Sequence, residues 1–325
     1  MRATVPHLLS LGHRIRGVDN YSRYGAEEPP DGIEFVEGNL TDPEVVRTVT
    51  FGMDVVIQAA AQIYGVAGFH RYPADILERD THLHGLILRE AVQQGVQRVV
   101  YISSSMVYER QPDTARETDV PNMLVPRTDY GLSKLVGERL SLAFAAQYGL
   151  SYTIWRPFNI IGLHERAEGC DPGVCHVFAD FIQRVVRDQQ NPMLMLGSGD
   201  QVRCFTWIED VAEAIAKYSF CAATKNEHFN LGNPQPVTMI ELAQRIYDLY
   251  HQMTGQILAR PLSFEHAPSF EDDVQVRVPS IDKARDLLGW QPTVMLDEML
   301  GRCIAHELEF QQESASWHAA ETAPT

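Results

Sequence analysis

The chain has 325 residues, 45% of them hydrophobic, and a formal net charge of -16 at pH 7. That length supports one large domain or two modest ones, and the acidity excludes nucleic acid and anionic membrane as partners, since both need a concentrated basic face. No apolar run approaches the roughly 18 to 20 residues of a membrane span, the opening MRATVPHLLSLGHRIRG is too short and polar for a secretory signal, and five scattered cysteines suit a reduced, cytoplasmic compartment.

Short β-branched runs alternate with longer helical patterns through the first half, the signature of βαβ units and a parallel sheet. Strands are expected at Arg14–Val18, Ile33–Val36, Asp54–Gln58, Arg98–Ser103 and Tyr152–Arg156. Helices are expected at Pro43–Thr48, Ala74–Gln94 and Tyr130–Tyr148, with Gly95 and Gly149 where the last two should end. Beyond Pro157 come a Gly- and Pro-containing loop (Gly162–Gly173), a helix from His176 to Asp188, and short elements to about His306. The expected fold is α/β: a doubly wound parallel sheet, Rossmann-like, over residues 1–157, with a smaller C-terminal substrate lobe over 158–310 interleaved with it. Residues 311–325 lack periodicity and are expected to fray. Cys170, Cys175 and His176 lack a second ligand pair at zinc spacing, so no metal is expected.

The candidate chemistry begins at Tyr130-Gly-Leu-Ser-Lys134, which opens a helix. Residues four apart share a helix face, so phenol and ammonium point together. A neighbouring cation favours the phenolate and draws the tyrosine pKa down from about 10, so Tyr130 can exchange a proton with a hydroxyl. Such a pair is common on exposed helices, and context adds the weight. The apolar strand Arg98–Ser103 runs into Ser104-Ser105-Met106, and the C-terminal ends of parallel strands are where open α/β sheets place ligands. The same serines also read as a cap on the next element.

At this point the chain resembles the extended short-chain dehydrogenase/reductase superfamily, in its nucleotide-sugar epimerase and dehydratase branch. The resemblance runs from Gly12 to about Gly301 through GHRIRGVDN, GNLTD, DVVIQAAAQ, VVYISSSMVYE, YGLSK, RPFNIIG, GSGDQVRCFTWIEDVAEAI, FNLGNPQPVTMIELA and IDKARDLLGWQP. It implies NAD as cofactor, a nucleotide-diphosphate sugar as substrate and a homodimer formed through the two long helices. Asp19 would hold the adenosine ribose hydroxyls, assisted by Asn20, and its charge would repel a 2'-phosphate. Asn39 and Leu40 would lie near the adenine, and Ala59, Ala60 and Ala61 would line the cofactor channel. Tyr130 would be the catalytic base, Lys134 would hold the nicotinamide ribose, and Ser104 would hydrogen-bond the reacting hydroxyl. Ser105, Met106, Asn159, His176, Arg203 and Arg277 would face the substrate, the arginines matching diphosphate oxygens with planar donors. Asn159 also reads as a turn cap, Arg277 as a surface ion pair, and His176 as an ordinary helix-start residue.

Where dehydratases of this branch carry an Asp-Glu pair, the chain has Ser105 and Met106, and methionine transfers no proton. NAD-dependent 4-epimerisation through a transient keto-sugar needs no further base and is the expected reaction; a dehydrogenase, dehydratase, decarboxylase or non-catalytic sugar-nucleotide binder is the alternative. The glycine-rich turn with which the branch cradles the cofactor pyrophosphate does not precede Arg14. A doubly wound sheet needs a central first strand, so Arg2–Val5 is expected to pair as a shortened one, turning at Pro6 into a clipped helix; Met1 otherwise lies inside that helix already. Without the cradle, NAD is expected to bind weakly.

Overall fold

A computed structural model describes residues 1–23, 25–62, 66–111, 113–163, 165, 175–255, 260–270 and 273–321. Its first element is a helix, α1 (Thr4–Ser10), so the strand expected at Arg2–Val5 does not form. Pro6 lies in the first helical turn, where a missing N–H loses no intrahelical bond, and Leu8 is buried. These local signals for a helix start prevail over the sheet's need for another strand.

The expected strands appear as β1 (Arg16–Asp19), β2 (Glu34–Glu37), β3 (Val55–Gln58), β4 (Arg98–Ile102) and β5 (Ser151–Pro157), displaced by a residue or two as is usual at element ends. The helices between them carry recognisable ends. In α2 (Pro43–Thr50), Asp42 accepts the Glu44 amide. Short α3 (Val66–Arg71) leads to α4 (Pro73–Gln93). Thr128 caps α5 (Asp129–Tyr148) by accepting the Gly131 amide, and Gly149 closes it at φ 71°, a backbone that glycine adopts without strain.

Past β5 come β6 (Ile160–Ile161), α6 (Val177–Ile182), β7 (Met193–Leu196), β8 (Val202–Cys204), β9 (Thr206–Trp207) and α7 (Ile208–Tyr218). The chain then returns to the first sheet as β10 (Glu227–Leu231) before β11 (Pro236–Thr238), α8 (Met239–Thr254), β12 (Phe264–Ala267), β13 (Val276–Arg277), α9 (Asp282–Leu288) and α10 (Leu296–Glu321). The helix expected from His176 is α6, extended by a π-helical turn through Arg187. The tail expected to fray from Gln311 continues α10 to Glu321 instead; Ala, Gln and Glu have helix propensity without any apolar periodicity. Most of the Gly162–Gly173 loop, with Cys170, lies outside the described residues.

One parallel sheet has the order β10-β5-β4-β3, and a second pairs β1 with β2, also parallel. β4 is covered on both faces: Val100 packs with Trp155, Phe229 and Ile215, and Val99 with Leu88, Ala91 and Phe144. A separate core of Met193, Phe205, Leu242 and Met299 supports the second lobe. Among the described residues, no strand lies between β1 and β3.

Candidate active site

β4 ends in a polar turn. Ser104 has extended backbone (φ -155°, ψ 153°) and caps the 3₁₀ turn Ser105–Tyr108 by accepting the Met106 amide at 3.1 Å. The turn abuts the start of α5 so closely that a Cβ on Gly131 would lie 2.8 Å from the Met106 carbonyl oxygen, a contact only glycine avoids. Glu109 fixes the approach by accepting the Arg127 and Thr128 amides and the Thr128 hydroxyl.

This approach brings Tyr130 to Ser104, whose side chain hydrogen-bonds the phenol, and lays the Tyr130 ring flat on Phe69, centroids 4.6 Å apart. Lys134, one turn along the same face, donates to the Ile102 carbonyl at 3.1 Å, with its Nζ 5.8 Å from the Tyr130 ring centre. The lysine does not draw the phenol toward neutrality as the sequence suggests. Burial pushes Tyr130 up to about 12, against the Ser104 hydrogen bond, and pushes Lys134 down to about 8, against the charges of Asp80 and Glu138. Desolvation prevails because both groups leave water while the ammonium is engaged elsewhere.

Asp80 and Glu138 were not singled out from the sequence. Asp80, 1% exposed, accepts the Gln62 amide at 2.8 Å and the Ser133 hydroxyl at 3.2 Å, and burial raises its pKa. Glu138 takes the guanidinium of Arg156 in two parallel bonds of 2.8 and 2.7 Å and also accepts from Ser103. Arg156 in turn donates to the Tyr108 oxygen, and Tyr108 to Asn230. The Lys134/Glu138 spacing of four was an available signal; Asp80 offered none, its partners lying 18 and 53 residues away.

Arg203 on β8 and Arg277 on β13 are register partners on adjacent parallel strands. Arg203 pairs with Asp273 at 3.0 Å. Arg277 donates to Asn159 Oδ1 at 2.9 Å and to the Met106 sulfur, while its buried Nε has no hydrogen-bond partner. Burial, reinforced by Arg203, lowers Arg277 to about 9. Two guanidiniums, one carboxylate and an unpartnered donor make a seat for an anion. Asn159, at φ 35°, is fixed by donating to the Cys204 carbonyl at 2.8 Å.

Ser104, Ser105, Met106, Tyr130, Lys134, Asn159, Arg203 and Arg277 thus belong to one region. His176 lies at its rim: it caps α6, is 45% exposed and contacts Glu165 through its ring, and Arg23, in the loop after β1, acts electrostatically on both Glu165 and Tyr130. Asp19, Ala59 and Ala60 line a different space, a cleft of about 1190 Å³ between β1 and β3. There Asp19 accepts the Tyr21 amide, and Asn20 and Asn39 accept the amides of Ser22 and Thr41. Leu40 packs against the cluster of Val46, Leu83 and Ile87, and Ala61 is half-buried.

The family model described as the NAD dependent epimerase/dehydratase family matches residues 2–232. The chain belongs to that family, whose cofactor is NAD. Among solved structures it is similar to a UDP-glucose 4-epimerase with UDP-glucose from Thermotoga maritima, at 26% identity over 95% of each chain and a TM-score of 0.80. A UDP-glucose 4-epimerase of Thermus thermophilus in complex with NAD matches at 24% identity over 94% of each chain, TM-score 0.78. A dTDP-glucose 4,6-dehydratase of Streptomyces venezuelae with NAD bound matches at 20% over 94% of this chain and 92% of that one, TM-score 0.80; the last two speak for the Rossmann-like fold alone. The residues present fit the two ends of NAD, an acid closing β1 beside small alanines and a Tyr/Lys pair on α5 beside the serines that follow β4.

Proposed function

We propose that the protein is an NAD-dependent nucleotide-sugar 4-epimerase with Tyr130 as its proton carrier. The observation that carries this reading is the placement of Tyr130, hydrogen-bonded by Ser104, in the same region as the paired guanidiniums of Arg203 and Arg277. A proton carrier and a diphosphate seat at one site are what a nucleotide sugar requires. NAD, when bound, supplies the hydride acceptor and donor. Tyr130 takes the proton of the reacting sugar hydroxyl and returns it after the keto-sugar has turned over, while Ser104 hydrogen-bonds that hydroxyl. Lys134, with its pKa near 8, is largely charged at neutral pH and would hold the nicotinamide ribose; Asp19 would hold the adenosine ribose. Arg203, Arg277 and Asn159 bind the diphosphate. Met106 contacts Arg277 and offers no acid or base for dehydration. The working form is a cytoplasmic homodimer joined through α4 and α5, which pack side by side in each subunit.

The test is conversion of UDP-glucose to UDP-galactose with NAD present. Tyr130→Phe is expected to lower kcat about 10²- to 10⁴-fold, the usual worth of a positioned proton carrier, with nucleotide-sugar affinity nearly unchanged; retained turnover would defeat the proposal. A second reading, a non-catalytic nucleotide-sugar binder, is favoured by the phenol of Tyr130, which burial pushes up to about 12 and so away from a ready proton acceptor. Thermal stabilisation by UDP-, GDP-, CDP- or dTDP-sugars with no NAD bound and no turnover would select it.

A further inference from the structure

The ammonium of Lys134 is buried against neutral groups, the Ile102 carbonyl at 3.1 Å and the face of Tyr101, 5.5 Å from its ring centre. A buried cation needs an opposite charge nearby to remain one. Two acids act on it, Asp80 and Glu138. The charge of Glu138 is already met by Arg156 through two parallel bonds. The hydrogen-bond donors to Asp80 are an amide and a hydroxyl, both neutral, so its charge is left to act on Lys134.

The other titratable groups around Lys134 do not supply that charge. On α4, His84 lies between Gln58 and Tyr101 and is held neutral, its pKa well below 6.5. On β4, burial raises Tyr101; on α5, it raises Tyr130 to about 12, so neither phenol is an anion at neutral pH. Arg156 on β5 is itself a cation.

Asp80 also joins two parts of the site. One carboxylate oxygen accepts the amide of Gln62 at 2.8 Å, in the loop after β3 that begins with Ala59, Ala60 and Ala61. The other accepts the hydroxyl of Ser133 at 3.2 Å, and that hydroxyl also reaches the Tyr130 carbonyl at 2.9 Å. A single group, 1% exposed, thus fastens the loop after β3 to the turn of α5 that carries Tyr130 and Lys134.

We propose that Asp80 is a positioning residue for the reaction: its carboxylate holds the loop after β3 against α5 and is the counter-charge of the Lys134 ammonium. This rests on the role given to Lys134 above.

Asp80→Asn tests it with little change of shape, because the amide oxygen still accepts from Gln62 and the amide nitrogen can donate to Ser133. In the ligand-free chain, lysine labelled with ¹³C at Cε reports each ammonium by NMR. Lys134, at about 8, titrates apart from the more exposed Lys217, Lys225 and Lys283. Asp80→Asn is expected to lower the Lys134 midpoint by about one pH unit or more, and Ser133→Ala, which removes a hydrogen bond but no charge, by less than about half of that. A midpoint unmoved in Asp80→Asn, or moved equally by Ser133→Ala, overturns the proposal. NADH affinity, read by fluorescence, should follow the ammonium, with a loss in Asp80→Asn of roughly 3-fold at about pH 7.5 that closes by about pH 6. An equal loss at both pH values would place the effect in the loop alone and overturn the counter-charge. Absence of NADH binding or of turnover in the unaltered protein would defeat the proposed function, while the lysine titration still decides the role of Asp80.

Discussion

Around β4, β5 and α5 the interior holds charged side chains, among them Asp80, Lys134, Glu138 and Arg156, none of these more than 3% exposed. Each meets a hydrogen-bonding partner there. Around β1 the pattern reverses: Arg16, Gly17 and Val18 are only half-buried, and the inner edge of the strand faces a cleft. The contrast separates two ways of placing functional groups. Tyr130 and Ser104 are held by a strand paired on both sides and a helix end pinned by Glu109, so their geometry is set before any ligand arrives. Asp19 sits at the end of a strand with a single neighbour among the described residues, so its position is held less firmly than that of Tyr130.

Glu138→Leu tests that contrast most severely. It strands the Arg156 charge in the interior and is expected to cost about 3 to 5 kcal/mol in chemical denaturation, whereas Arg2→Ala, which removes the half-exposed Arg2–Glu27 pair beside β1, should cost less than about 1 kcal/mol. Similar costs for the two would erase the distinction. Arg203→Ala probes the anion seat on the closed side and should weaken UDP-glucose binding by roughly 1.5 to 3 kcal/mol in calorimetry, the scale of a charge-assisted hydrogen bond. Unchanged affinity would leave Arg203 as a partner for Asp273 alone.

The smallest effect is on pH. His84 bridges Gln58 and Tyr101, and burial, with Lys134 adding to it, depresses its pKa well below 6.5. The unfolded chain therefore takes up a proton below pH 6.5 that the folded one refuses, so stability is full at pH 7 and falls with acidification, by at most about 1.4 kcal/mol per pH unit from this group. Asp80, with its raised pKa, works in the opposite direction. His84→Gln should flatten the decline in melting temperature between pH 7 and 5, and an unaltered slope would assign the decline to other groups.

Much of this was legible in the sequence. The alternation of β-branched runs with helical periods placed β1 to β5, and Tyr130, Lys134 and Ser104 stood out because their spacing or position after a strand is local, whereas Arg203 and Arg277 were marked only by the family resemblance. Arg2–Val5 was misread because the demand of the sheet for a strand was weighed above Pro6, which marks a helix start. The state of Tyr130 was illegible for another reason. Its pKa is set by burial against Phe69 and by the engagement of Lys134 with Ile102, neither of which is encoded in the four-residue spacing. Asp80 reads as an ordinary helix-surface acid until α4 and α5 are packed together.

The return of the chain to the sheet as β10 has a temporal consequence. Tyr108 reaches its hydrogen-bond acceptor Asn230 across 122 residues, so the polar network behind the catalytic turn cannot close while those residues are still unmade. At the roughly 5 to 20 residues per second of synthesis, that delay is about 6 to 25 seconds. Throughout it the outer edge of β5 is without its neighbour, and Arg156, though already beside Glu138, lacks the anchored phenol that completes its surroundings. A nascent chain in this interval exposes a bare strand edge, and that edge is where a chaperone or a misassembling neighbour would first engage it.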